Sequence, residues 1–221
     1  MGNLTIVENR PGFRSYARRP KVKTDAMVVH ESVSPTKERT VKVLLRKGCG
    51  VHFLVDRDGK VYDMAPLDRV VAHAGRLNRR SVGIEVVNPY YPTAIPKSWI
   101  DRPEVIPARW AHRKQYTVPP DAQLRSLWDL IKHLVDTLDD VAPDWVGLLG
   151  GNRFAMARVK GAAKRGGIQA HTYTHHADGA FPVLYCYLRS LDMEHADAMV
   201  SALDLASGAG RVLKLGDDLV A

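Results

Sequence analysis

The sequence predicts an α/β fold, a single domain with a mixed central β-sheet flanked by α-helices. Three observations predict it. Ala26-Met27-Val28-Val29 is a short continuous apolar run, as a buried central strand shows. Asp58-Gly59 stands between two strand-like runs and is a strong hairpin signal. Leu124, Leu127, Trp128, Ile131, Leu134, Val135 and Leu138 recur at helical spacing with charged residues on the other face, which makes an amphipathic helix. At 221 residues the chain is long enough to bury a sizeable core. Its 45% hydrophobic and 25% charged content is that of an ordered globular protein.

Residues 1–25 are polar and basic and read as an extended N-terminal arm packing on the domain. The domain itself spans 26–205. Its first strand covers Asp25 to His30. Ser34 then caps a helix with Pro35 in its first position, where no amide donor is needed. Val41, Leu44 and Leu45 form the apolar stripe of this helix, and Gly48 ends it in a left-handed turn. The hairpin follows, Val51 to Val55 and Val61 to Met64. Ser81 to Asn88 is a further strand, with Val82, Ile84 and Val86 on one face and Gly83, Glu85 and Val87 on the other.

Residues 89–120 hold seven of the 13 prolines (Pro89, Pro92, Pro96, Pro103, Pro107, Pro119, Pro120) with Tyr90, Tyr91, Trp99, Trp110 and Tyr116. Such a loop is either functional, here a wall of a substrate groove, or simply packed on the surface. The long helix comes next, then a basic stretch from Arg153 to Arg165 with helical character, a strand leading into His171, and a last helix from Pro182 to about Leu203. Residues 206–221 read as a loosely held tail.

No apolar run approaches the roughly 18 residues of a membrane span. The N-terminus lacks the ~7–15-residue apolar stretch of a secretory signal, so the expectation is synthesis in the cytoplasm and no stable membrane insertion. Two cysteines, Cys49 and Cys186, form no CxxC pair, which excludes a zinc ribbon or redox motif. A net charge of +8 and a pI near 9.6 favour polyanionic partners. Cell-wall polymers, anionic lipid and nucleic acid all qualify, but no nucleic-acid recognition motif accompanies the dispersed basic residues.

The densest chemistry lies in Gln169 to Gly179, which carries three of the nine histidines (His171, His175, His176) and Asp178. Imidazole and carboxylate are zinc ligands, and a catalytic zinc needs a third protein ligand. His30, at the end of the first apolar run, is the best donor. His175 and His176 are rival ligands, and a polar surface loop is the plain alternative.

Four segments in order resemble the type-2 N-acetylmuramoyl-L-alanine amidases, whose fold is shared with peptidoglycan-recognition proteins. They are Val28-Val29-His30-Glu31-Ser32; the hairpin from Gly50 to Tyr62; Ala72-His73-Ala74-Gly75 with Asn78 and then Ser81-Val82-Gly83-Ile84-Glu85; and His171 with Asp178-Gly179. Tyr116-Thr117 and Gln123 resemble that family's entry to its long helix. The resemblance implies zinc held by His30, His171 and Asp178 with an open position for water. It implies Glu85 as catalytic acid and base. It puts His176 where relatives carry an oxyanion-stabilising lysine, and Glu31 where they carry His, Tyr or Asn. His52, His73, Asn78 and Trp110 are candidate substrate-binding residues, His52 and His73 being alternatively buried, hydrogen-bonded histidines. His112 and His195 lie outside every motif and are expected at the surface.

The implied activity is zinc-dependent hydrolysis of the amide between N-acetylmuramic acid and L-alanine in peptidoglycan. Two settings fit: a phage or prophage endolysin released onto the wall by a holin-type lesion, which the basic charge favours, and a cytosolic recycling amidase acting on anhydromuropeptides. A non-catalytic peptidoglycan-binding module is the rival of another class. The oligomeric state is not implied.

Overall fold

The structure, a computed structural model, describes residues 4–18, 24–175, 178–216 and 219. In chain order its elements are β1 (Ile6–Glu8), β2 (Ser15–Arg18), β3 (Ala26–Glu31), α1 (Lys37–Lys47), β4 (Phe53–Val55), β5 (Val61–Asp63), β6 (Arg69–Val71) and β7 (Ser81–Val86). Then come β8 (Val105–Pro107), β9 (Gln115–Thr117), α2 (Asp121–Thr137), β10 (Leu148–Leu149), β11 (Arg153–Ala155), β12 (Gly167–Ala170), α3 (Ala180–Arg189), α4 (His195–Ala206) and β13 (Val212–Lys214).

Six strands form one mixed sheet in the order β1-β5-β4-β7-β3-β12. The pairs β4/β7, β7/β3 and β3/β12 are parallel, and the β4/β5 hairpin is antiparallel. Every residue of β3 and β7 is buried, because helices or loops cover both faces of these central strands. The hairpin turns where Asp58-Gly59 predicts: Asp56 N–H donates to Lys60 O at 2.9 Å, and Gly59 takes φ 85°, which a residue with a Cβ adopts only at a cost. The helix α2 buries Leu124, Leu127, Leu130, Ile131 and Leu134. Gln123 joins it to the sheet, its Nε2 donating to Val55 O at 2.8 Å and Val87 O at 3.0 Å. No described helix is long and apolar enough to cross a membrane.

Several elements differ from the sequence reading. Thr36, not Ser34, caps α1: its Oγ1 accepts from Arg39 N–H at 3.3 Å, and Gly48 closes the helix in the left-handed turn. Ser34 is held in a tight turn, its N–H donating to Ser32 Oγ at 3.2 Å, with Val33 at φ 52°. The stretch from Arg153 is a strand rather than a helix, because Phe154 is drawn into the core between β10 and β13. The last helix is two helices. Asp192 at φ 60° breaks them, and α4 folds back on α3. The stretch after 206 is anchored where described, with Leu213 and Leu215 buried and β13 paired to β11. In the N-terminal arm, β1 extends the central sheet beside β5 and β2 pairs with β6.

Candidate active site

Three parallel strands deliver the site. Ala170 is the register partner of Val29, so His171, the next residue after β12, emerges beside His30 near the end of β3. Glu85 on β7 is in register with His30. The side chains therefore gather at the carboxyl ends of parallel strands, where α/β sheets open their crevices. Asp178 reaches the same point from the turn before α3.

His30, His171 and Asp178 each offer a ligand atom, and these atoms lie within 4.8 Å of one another. The two histidines are 6% and 7% exposed. His171 Nδ1 stands 3.2 Å from Asp178 Oδ2. Two nitrogens and a carboxylate oxygen so disposed could hold a metal ion, and the His171–Asp178 separation of 3.2 Å is near the roughly 3.3–3.6 Å between neighbouring ligands of a tetrahedral ion with bonds of ~2.0–2.2 Å. The trio opens onto a cavity of about 780 Å³, whose wall includes Glu31, Glu85, Lys47, Tyr91, His112 and His175.

Hydrogen bonding fixes the tautomers behind the trio. The Ser81 hydroxyl donates to Leu77 O at 2.7 Å, so its oxygen is an acceptor for His73 Nε2 at 3.1 Å. With its proton on Nε2, His73 accepts at Nδ1 from His30 Nε2 at 3.1 Å. His30 Nδ1 is then the unprotonated nitrogen, the state a ligand needs. His73 is wedged in this role: a Cβ on Gly83 would lie 2.7 Å from its Nδ1. Asn78 supports the same turn, its Oδ1 accepting from His73 N–H at 3.0 Å and Ala74 N–H at 2.7 Å.

Two carboxyls stand beside the trio. Glu85 is 5% exposed, and burial, then the charges of Asp178 and Glu31, push its carboxyl well above the ordinary range. Glu31 is 3% exposed, and burial raises it to about 7 against the pull of hydrogen bonds from Asn88, Tyr116 and Gly179.

Not every sequence-predicted residue reaches the cavity. His52 is completely buried: Nε2 pairs with Arg69 O at 3.0 Å and Nδ1 accepts from Gly83 N–H at 3.0 Å, so it joins the hairpin to β7 and has no nitrogen left for substrate. Trp110 is likewise no groove wall. It is 5% exposed, its ring packs on Tyr116 with centroids 4.9 Å apart, and its indole N–H donates to Ala206 O at 3.0 Å. Asn78 acts on backbone and does not line the cavity. His176 lies outside the described residues. Of the two histidines expected at the surface, His195 is instead 8% exposed and bonded to the Tyr185 hydroxyl at 2.7 Å, while His112 is exposed as expected and also lines the cavity. Glu31, noted in the sequence only as a departure from relatives at the position after His30, is buried beside the trio and lines the cavity.

The fold is that of peptidoglycan amidases. The chain superposes on the N-acetylmuramoyl-L-alanine amidase LysC from Clostridium intestinale with a TM-score of 0.50 and 16% identity, covering 86% of this chain and 99% of that one. It matches the Staphylococcus aureus hydrolase AmiA, solved with its ligand, with a TM-score of 0.50 and 19% identity, covering 90% and 82%. Comparison with curated proteins gives no match. The family model described as N-acetylmuramoyl-L-alanine amidase matches residues 20–180, and the chain belongs to this family. It is accordingly an enzyme of the peptidoglycan amidase class.

Proposed function

We propose that this protein is a zinc-dependent endolysin that cleaves the amide between the lactyl group of N-acetylmuramic acid and L-alanine. The observation that carries the reading is the convergence of His30, His171 and Asp178 with Glu85 over one cavity. A His/His/carboxylate set with a cavity in front of it fits catalytic zinc better than structural zinc, which is normally closed by four protein ligands. Zinc held there would polarise the scissile carbonyl and make water a better nucleophile.

The chain's own residues do the rest. Glu85, with a raised pKa and no ligand role, takes the proton from the attacking water and delivers it to the leaving nitrogen of L-alanine. The His73–Ser81 pair keeps the His30 proton on Nε2. His176, two residues before Asp178, donates a hydrogen bond to the developing oxyanion. His176→Ala should then lose about 10²–10³ in turnover while keeping zinc; loss of zinc instead would make it a ligand. The +8 charge supports action on an anionic envelope.

The test is zinc content and substrate choice together. The His30→Ala, His171→Ala double variant is expected to lose the zinc that the parent carries, and stoichiometric zinc in it would move the site to His175 and His176. The parent is expected to turn over purified wall faster than soluble anhydromuropeptides. The reverse order would assign it a recycling role.

A further inference from the structure

Glu31 takes no part in the chemistry above, yet both of its carboxylate oxygens are hydrogen-bonded beside the site. It follows His30 on β3 and is buried against the cavity floor. Its Oε1 accepts from Asn88 Nδ2 at 2.8 Å and from the Tyr116 hydroxyl at 2.7 Å. Its Oε2 accepts from the Gly179 N–H at 2.9 Å, across 148 residues of chain. The partners come from the loop after β7, from β9 and from the start of α3. Asn88 is itself fixed, its Nδ2 also donating to Thr117 O at 2.7 Å.

All three partners present donors, so the site is shaped for a group that accepts at both ends. A buried carboxylate is costly to keep in an apolar interior, and a well-packed apolar side chain usually serves stability as well or better. What Glu31 supplies that an apolar side chain cannot is the grip on Gly179. That residue directly follows Asp178. It sits at φ 78°, and its Cα lies so close to β3 that a Cβ there would stand 2.2 Å from Val29 O. From the other side, Asp178 O accepts from Thr172 N–H at 3.0 Å, one residue after His171. The turn is therefore clamped between the strand that brings His30 and the turn that brings His171.

We propose that Glu31 is a positioning residue that sets the metal affinity of the trio by holding the Asp178–Gly179 turn against β3. The inference rests on the zinc reading above. It makes the residue after the first histidine part of the metal centre without its being a ligand. Groups that orient ligands in this way typically contribute about 10–100-fold to metal affinity.

The experiment measures zinc affinity of the full chain by competition with a chromophoric chelator, alongside the melting temperature of the metal-free protein. Glu31→Gln offers one oxygen where donors arrive at two, and is expected to bind zinc about 10–100-fold more weakly. Glu31→Asp keeps the charge but is too short to reach Gly179, and should weaken binding likewise. Leu134→Ala, a core change on α2 away from the cavity, is expected to lower the melting temperature with zinc affinity intact. Glu31→Gln binding zinc within about 3-fold of the parent would overturn the inference. So would Glu31→Asp with parental affinity, because charge alone would then suffice, or a Leu134→Ala loss matching that of Glu31→Gln at equal destabilisation. Should Glu31→Gln not fold, Glu31→Asp carries the test alone, because it too loses the Oε2 contact with the Gly179 N–H. Failure of the parent itself to take up zinc would refute the zinc reading, whereas parental binding with indifferent Glu31 variants refutes only the positioning role.

Discussion

Gly179→Ala concentrates the physics of the site in one methyl group. The new Cβ would stand 2.2 Å from Val29 O and 3.0 Å from Val29 C, against ordinary contacts of 3.4 Å or more. Neither atom belongs to a side chain that can swing aside, so the turn must lift from β3 by roughly 1 Å. That displacement carries the Gly179 N–H, now 2.9 Å from Glu31, beyond hydrogen-bonding reach. The left-handed backbone costs an alanine about 1–2 kcal/mol, and loss of a hydrogen bond to a charged group about 1.5–3 kcal/mol. The sum, about 2.5–5 kcal/mol, is survivable for a domain whose total stability is about 5–15 kcal/mol. Asp178 moves with its neighbour, so zinc affinity should fall by about 10-fold or more. Urea unfolding of the metal-free protein measures the first effect and chelator competition the second. Gly208→Ala is the control: φ there is 67° with nothing within 4 Å of the Cβ, so only the backbone cost applies. A Gly179→Ala protein no less stable than Gly208→Ala, with parental zinc affinity, would refute the account of this turn.

Glu85→Gln should bind zinc as the parent does while turnover falls by about 10²–10⁴-fold; near-parental rates on purified wall would reduce Glu85 to a sheet residue. A pH-dependence follows from Glu31, whose folded-state pKa of about 7 lies above the ordinary 4.5. The folded metal-free chain binds that proton more tightly than the unfolded chain, so this group's contribution to stability falls as pH rises from about 4.5 through about 7. Unfolding free energies of the metal-free parent relative to metal-free Glu31→Gln should therefore decline across this window, by on the order of 3 kcal/mol. A difference that is flat or rises with pH contradicts the assignment.

Much of the architecture is legible in the chain because it is local. Asp58-Gly59 makes its own turn, Gly48 its own helix stop, and the stripe from Leu124 to Leu134 its own buried face. The readings that fail are those decided by distant partners. The run from Arg153 looks helical until Phe154 is drawn into the core between β10 and β13, and the run from Pro182 to Leu203 looks like one helix until α4 folds back on α3. The site divides in the same way. His30 and His171 stand out by residue type at the ends of strand-like runs, Asp178 by its place in the His-rich loop and Glu85 by the family resemblance, and the fold brings all four together. His52 and Trp110 carry the same chemical promise, but Arg69 O, Gly83 N–H and Ala206 O consume it, and these lie up to 96 residues away. Glu31 shows the converse. Its partners Asn88, Tyr116 and Gly179 are scattered along the chain, so only the folded protein reveals what it holds.

The most direct measurement of the central claim is the appearance of new L-alanine amino ends in purified peptidoglycan treated with zinc-loaded, chelator-stripped and zinc-restored protein. The account predicts amino ends without new reducing sugar ends, abolished by stripping and recovered with zinc. Undiminished release by the stripped protein, or new reducing ends in place of amino ends, would contradict it.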